Sequence, residues 1–214
     1  MFEFPRFAVH DPRHANDLVR SNPFALVVSG RGGVPVATHA PVLPEGQVEG
    51  SFAGTTLLGH MARVNPHWRQ WEGDATEVLV VFSGPHGYVS PSMHGAAEPS
   101  VPTWNYGAVH LTGRLELILG EEEMLDVVER TVQAMETPRT PKWEPGAASR
   151  DVFRQIVGGV VAFRVHVRDE AKLFKVSQDA DDRTHGHIRD AFAGPEGNAG
   201  LAHLMDVVDP RGES

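Results

Sequence analysis

The stretch Phe24-Ala-Leu-Val-Val-Ser29, Gly30-Arg-Gly-Gly33, Val34-Pro-Val-Ala-Thr-His-Ala-Pro-Val-Leu43 decides the fold class. An apolar run of strand length meets a glycine-rich turn, and a second run with a period of two follows. Val34, Val36, Thr38, Ala40 and Val42 share one face of that second run; His39 and Leu43 lie on the other. Strands joined by so short a turn pair antiparallel, because a parallel return needs a crossover of about a dozen residues or more.

Working outward, the pattern predicts a short helix over Pro12 to Arg20, ended before Pro23. A third strand is expected within Gly50 to His60, then a short helix within Met61 to Trp71 that starts or breaks at Pro66. Glu77 to Ser83 reads as a central strand. Ser83 to Ser92, with two glycines and two prolines, reads as a tight connection. Gly107 to Leu119 alternates as a half-buried strand.

Glu121 to Met135 is the strongest helix signal, with Met124, Val128, Val132 and Met135 as its apolar stripe. Glu121, Glu122 and Glu123 suit the positive end of the helix dipole. Ser149 to Val157 reads as a helix capped by Ser149 and stopped by Gly158-Gly159. Val161 to Arg168 is a late strand. The tail from Asp179 is helical to Ala193, with a loop over Gly194 to Gly200 and a short helix over Leu201 to Val208. Strands are often adjacent rather than alternating with helices. The expected class is therefore mainly β with peripheral α helices, an antiparallel barrel rather than a doubly wound sheet.

Composition narrows the function. The chain has 214 residues, a formal net charge of -9, 12 histidines and no cysteine. Disulfides, thiolate metal sites and a cysteine nucleophile are excluded. The acidic balance argues against a broad nucleic-acid-binding face. The longest apolar runs, Phe24 to Val28 and Val78 to Phe82, are five residues, too short to span a bilayer. No basic segment followed by an apolar one opens the chain, so no signal peptide is expected. No HExxH, GxGxxG or GxSxG motif is present. His185-Gly-His187 reads as a solvated turn, and His10, His14, His166 and His203 as surface residues.

Four stretches carry more chemistry than packing requires: Val36 to Pro41, Gly59 to Trp68, Ser83 to Ser92, and Val101 to Tyr106. Arg63 suits bidentate contact with a phosphate, and Asn65 before Pro66 suits a turn or cap. In order along the chain, these stretches resemble the PaiB family of FMN-binding split-barrel proteins. The resemblance rests on Phe2-x-x-Pro5-x-Phe7, Ala37-Thr38-His39-x-Pro41 and Gly59-His60-x-Ala62-Arg63-x-Asn65-Pro66-x-Trp68. It continues through Gly84-Pro85-His86-x-Tyr88-x-Ser90-Pro91-Ser92, Val101-Pro102-Thr103-Trp104-Asn105-Tyr106 and Lys175-x-Ser177-Gln178.

The resemblance covers residues 1–192, taken as the FMN-binding domain, with 193–214 as a C-terminal extension. It implies a six-stranded antiparallel split β-barrel, a cytoplasmic homodimer with FMN in the groove between subunits, and negative transcriptional regulation. The charge favours a protein partner over direct DNA contact for that effect. Candidate flavin contacts are Thr38, His39, His60, Arg63, Asn65, Trp104, Asn105, Ser177 and Gln178. No catalytic or metal-binding residue is assigned. The alternatives are a flavin-dependent oxidoreductase and a haem-binding or haem-degrading protein with His86, His94 or His110 as axial ligand. Two departures from the family pattern stand out: Met93-His94 replaces an aromatic pair, and Asp179 replaces Asn.

Overall fold

The computed structural model describes residues 1–30, 33–73, 76–95 and 99–208. Six strands are hydrogen-bonded in the order β1-β2-β3-β6-β5-β4 and close into a barrel. They are β1 (Phe24–Ser29), β2 (Val36–Pro44), β3 (Thr56–Ala62), β4 (Thr76–Val89), β5 (Thr103–Ile118) and β6 (Val160–Lys175). β1 pairs antiparallel with β2, Leu26 facing His39, and with β4, Leu26 facing Val81. β3 pairs antiparallel with β2 and β6, His60 facing Ala162. The expected antiparallel, mainly β architecture is therefore present. The turn expected at Gly30 to Gly33 lies partly outside the described residues.

The chain divides into two compact units. Residues 23–81 and 111–170 form one, which holds the strand pairings above. One face of its sheet, with Leu58, Ile118 and Ala162, is covered by Met124 and Val127 of α2 (Glu121–Glu136) and by Val157. The buried stripe of α2 is Met124, Val127 and Thr131. The expected Val128, Val132 and Met135 are only half-buried, because the seam follows an i, i+3, i+7 row. α3 (Ala147–Ile156) is capped by Gly146 and contains Ser149 instead of starting at it. On β3, Gly59 is required by packing: a Cβ there would lie 2.4 Å from the Phe163 ring.

Residues 1–22, 82–110 and 171–214 form the second unit. α1 (Pro12–Ser21) starts with Pro12 at N1 and Asp11 as N-cap, whose side chain accepts from Arg13 N. Hydrogen bonds from Arg13 hold the Asp11 carboxyl down at about 2. β4 runs to Val89, so the connection expected at Ser83–Ser92 is mostly strand. Its glycines serve close packing: a Cβ on Gly84 would meet Leu18 at 2.9 Å, and one on Gly87 would meet Phe192 at 2.6 Å. α4 (Asp182–Ala193) and α5 (Ala199–Val208) are joined by Arg189, which donates to both Asp206 carboxylate oxygens at 2.8 and 2.7 Å. His185 is buried rather than solvated, because it shares an i, i+3, i+7 stripe with Ile188 and Phe192.

Candidate functional site

In the first unit, the site is built where β2, the end of β3 and the 3-10 helix Pro66–Trp71 meet. Pro66 at N1 fixes the helix start, and Asn65 Oδ1 accepts from His67 N at 3.0 Å. The other end of that amide, Nδ2, donates to Thr38 Oγ1 at 3.1 Å. One residue thus caps a helix and ties it to β2. Arg63 sits two residues earlier. Its backbone carbonyl accepts from Trp68 Nε1 at 2.8 Å, and its guanidinium lies 5.7 Å from the Trp68 ring centre. Its Nε donates to Gly158 O at 2.8 Å, which anchors the head at one edge.

His60 lies on the strand leading into this turn. Its Nδ1 is buried without a hydrogen-bond partner, and burial lowers its pKa below the ordinary 6.5. His39 stacks on the exposed ring of Phe24, centroids 5.5 Å apart and planes 21° apart.

Beneath Thr38 lies a buried polar network centred on His67, a residue of the stretch 59–68, and on Ser29, which the sequence reading did not single out. His67 is 2% exposed; its Nδ1 is 2.9 Å from Thr38 Oγ1 and its Nε2 2.8 Å from Ser29 Oγ. Trp71 Nε1 donates to the same Ser29 oxygen at 3.0 Å, and Gln70 Oε1 is 3.5 Å from it. A signal was present. Ala25, Val27 and Ser29 share the inward phase of β1, so a serine there must find a buried partner.

The other sequence candidates belong to the second unit. Asn105 is fully buried; its Nδ2 donates to Ser177 Oγ at 2.8 Å, and the Ser177 hydroxyl lies 3.1 Å from Asn105 Oδ1. Gln178 folds onto its own strand end, accepting from Val176 N at 2.7 Å and donating to Phe174 O at 2.6 Å. Ser177 holds a φ of 60°, a left-handed conformation rare for non-glycine residues. These polar groups are engaged with one another and fix the turn after β6. Trp104 is exposed, with Tyr88 edge-on at 5.9 Å and His86 at 6.4 Å. Of the two departures, Asp179 pairs with Arg6 at 3.8 Å, and His94 is hydrogen-bonded to Ser100. Among the described residues no cluster of histidine and carboxylate side chains suits a metal ion, and no helix is long and apolar enough to cross a membrane.

This closed six-stranded antiparallel barrel places the chain in the split-barrel fold class. Two solved structures share the fold. The FAD and heme binding protein from Mycobacterium smegmatis has a TM-score of 0.56 and 18% identity, over 83% of this chain and 78% of that one. The flavocytochrome Anf3 from Azotobacter vinelandii has a TM-score of 0.53 and 16% identity, over 79% and 69%. The family described as "Putative FMN-binding domain" matches residues 1–169. "Protease synthase and sporulation protein PAI 2" of Bacillus subtilis (strain 168) is 30% identical over 208 residues, 96% of this chain and 95% of that one. The chain belongs to this FMN-binding family, the PaiB family.

Proposed function

We propose that this chain binds FMN at the β2–β3 site and works as a flavin-responsive regulatory protein in the cytoplasm, paired with a second copy of itself. The observation that carries the reading is the Asn65–Thr38 bond, which sets a hydroxyl and an amide of the turn near the Arg63 segment. Phosphate recognition needs such donors beside a guanidinium. Arg63 Nε stays on Gly158 O, and a terminal nitrogen meets the weak acceptor Met124 Sδ at 3.7 Å, which a phosphate would outcompete for the terminal N–H groups. The unpartnered Nδ1 of His60 is a buried polar atom that a bound ligand would satisfy. In this reading His39 and Phe24 offer a flat stacked surface. Asn105, Ser177 and Gln178 act by holding the turn after β6. Bound FMN supplies a redox-active, coloured ring.

Regulation is supported by the name of the Bacillus relative, which links it to protease synthesis and sporulation. The net charge of -9 favours action through a protein partner. Self-association is supported by α3, which buries no residue and leaves Val152 and Ile156 exposed. The test is the absorbance spectrum of the untagged protein as purified and after FMN is added and removed by gel filtration. Retained flavin bands support the reading. A colourless protein after reconstitution overturns it, and a Soret band would point to haem instead.

A further inference from the structure

Hydrogen bonds in the network under Thr38 have a direction, and the geometry fixes it. Both ends are set by groups with one role. Trp71 Nε1 can only donate, so Ser29 Oγ accepts from it at 3.0 Å. Asn65 is oriented by its cap: Oδ1 accepts from the backbone N–H of His67, so Nδ2 must be the atom donating to Thr38 Oγ1. Between these ends lies His67, whose neutral ring has one N–H and one bare nitrogen.

Two directions are conceivable. If Thr38 donates to Nδ1, then Nε2–H donates to Ser29. The Ser29 proton is then left with Gln70 Oε1 at 3.5 Å, the limit of a hydrogen bond. Ser29 is 3% exposed, so water does not make up the loss. If instead Ser29 donates to Nε2 at 2.8 Å, Nδ1–H donates to Thr38 at 2.9 Å. Every buried proton then has a close acceptor. Thr38 Oγ1 receives two donors, and its own proton is unclaimed within the network. Thr38 is half-buried, so that proton can reach a ligand.

We infer that Ser29 and His67 are positioning residues that make the Thr38 hydroxyl a donor to an anionic oxygen of the ligand. Resting on the flavin reading, this assigns Thr38 to the phosphate of FMN. The network then favours phosphate-bearing flavins over riboflavin without Ser29 or His67 touching either.

Two measurements test this on the full-length chain. The first is the tautomer of His67, read from two-bond proton–nitrogen correlations in labelled protein at neutral pH. A proton on Nδ1 supports the relay; a proton on Nε2 overturns it. The second is the ratio of FMN to riboflavin affinity, measured by quenching of flavin fluorescence. Ser29→Ala frees His67 to reverse its tautomer, and should lower the ratio about tenfold with riboflavin affinity unchanged. Ser29→Thr should restore it. Thr38→Val should lower the ratio similarly and Thr38→Ser should keep it, which covers failure of Ser29→Ala to fold. Equal loss for both flavins, or no loss, contradicts the inference. If the wild type binds neither flavin, the flavin reading and the assignment of Thr38 to it both fall, and the tautomer alone still decides the relay.

Discussion

His67 is a buried titratable ring whose side-chain partners are uncharged: Ser29, Thr38 and Trp71. Burial lowers its pKa below 6.5, as it does for His60 and His110. The unfolded chain takes up these protons near pH 6.5, while the folded chain resists. The stability this provides is complete above pH 6.5 and is lost as pH falls below it. The melting temperature should therefore fall between pH 7 and 5, and His67→Gln should flatten that fall. An unchanged slope in the variant would assign the effect elsewhere. At Ser177, removing the hydroxyl takes the oxygen partner from the buried Asn105 Nδ2, leaving it the weak acceptor Met205 Sδ at 3.9 Å, and takes the donor from Asn105 Oδ1, while keeping the left-handed backbone. Ser177→Ala should cost about 1–3 kcal/mol in denaturant unfolding. Arg63 and Asn65 are legible as candidate-site residues because their residue types and the Asn65-Pro66 cap fall within one short turn, although their side chains also reach Gly158 and Thr38. Ser29 is not, because its partner lies 38 positions away and only the closed sheet brings them together.

Elements show the same division between local and distant causes. β1, α1 and α2 follow from periodicity and caps, and their bounds agree with the sequence pattern within a residue. β4 does not, because Gly84, Pro85 and Gly87 read as turn residues when their neighbours are unknown. Leu18 and Phe192 supply the reason for the glycines, and both are remote in sequence. Glycine substitutions separate these roles. On Gly113 a Cβ would lie 2.2 Å from the backbone oxygen of His166, which cannot turn aside. On Gly59 it meets a ring packed against Trp71. Gly113→Ala and Gly59→Ala should each lose about 1–3 kcal/mol or more, while Gly158→Ala, with open space around it, should stay near neutral. Equal stability of all three in urea melts would contradict the packing argument.

At the scale of the whole molecule, an apolar helix face left open should find a partner. Sedimentation should show a dimer, and Val152→Asp with Ile156→Asp should shift it toward monomer. A wild type that sediments as a monomer at tens of micromolar would remove the second copy from the reading. The most direct measurement is isothermal calorimetry of the purified chain with FMN, compared with Arg63→Ala. The expected result is saturable binding with one FMN per chain, and at least a tenfold loss of affinity in the variant, about 1.4 kcal/mol. No binding heat at tens of micromolar FMN, or equal affinity in the variant, would contradict flavin recognition at this site.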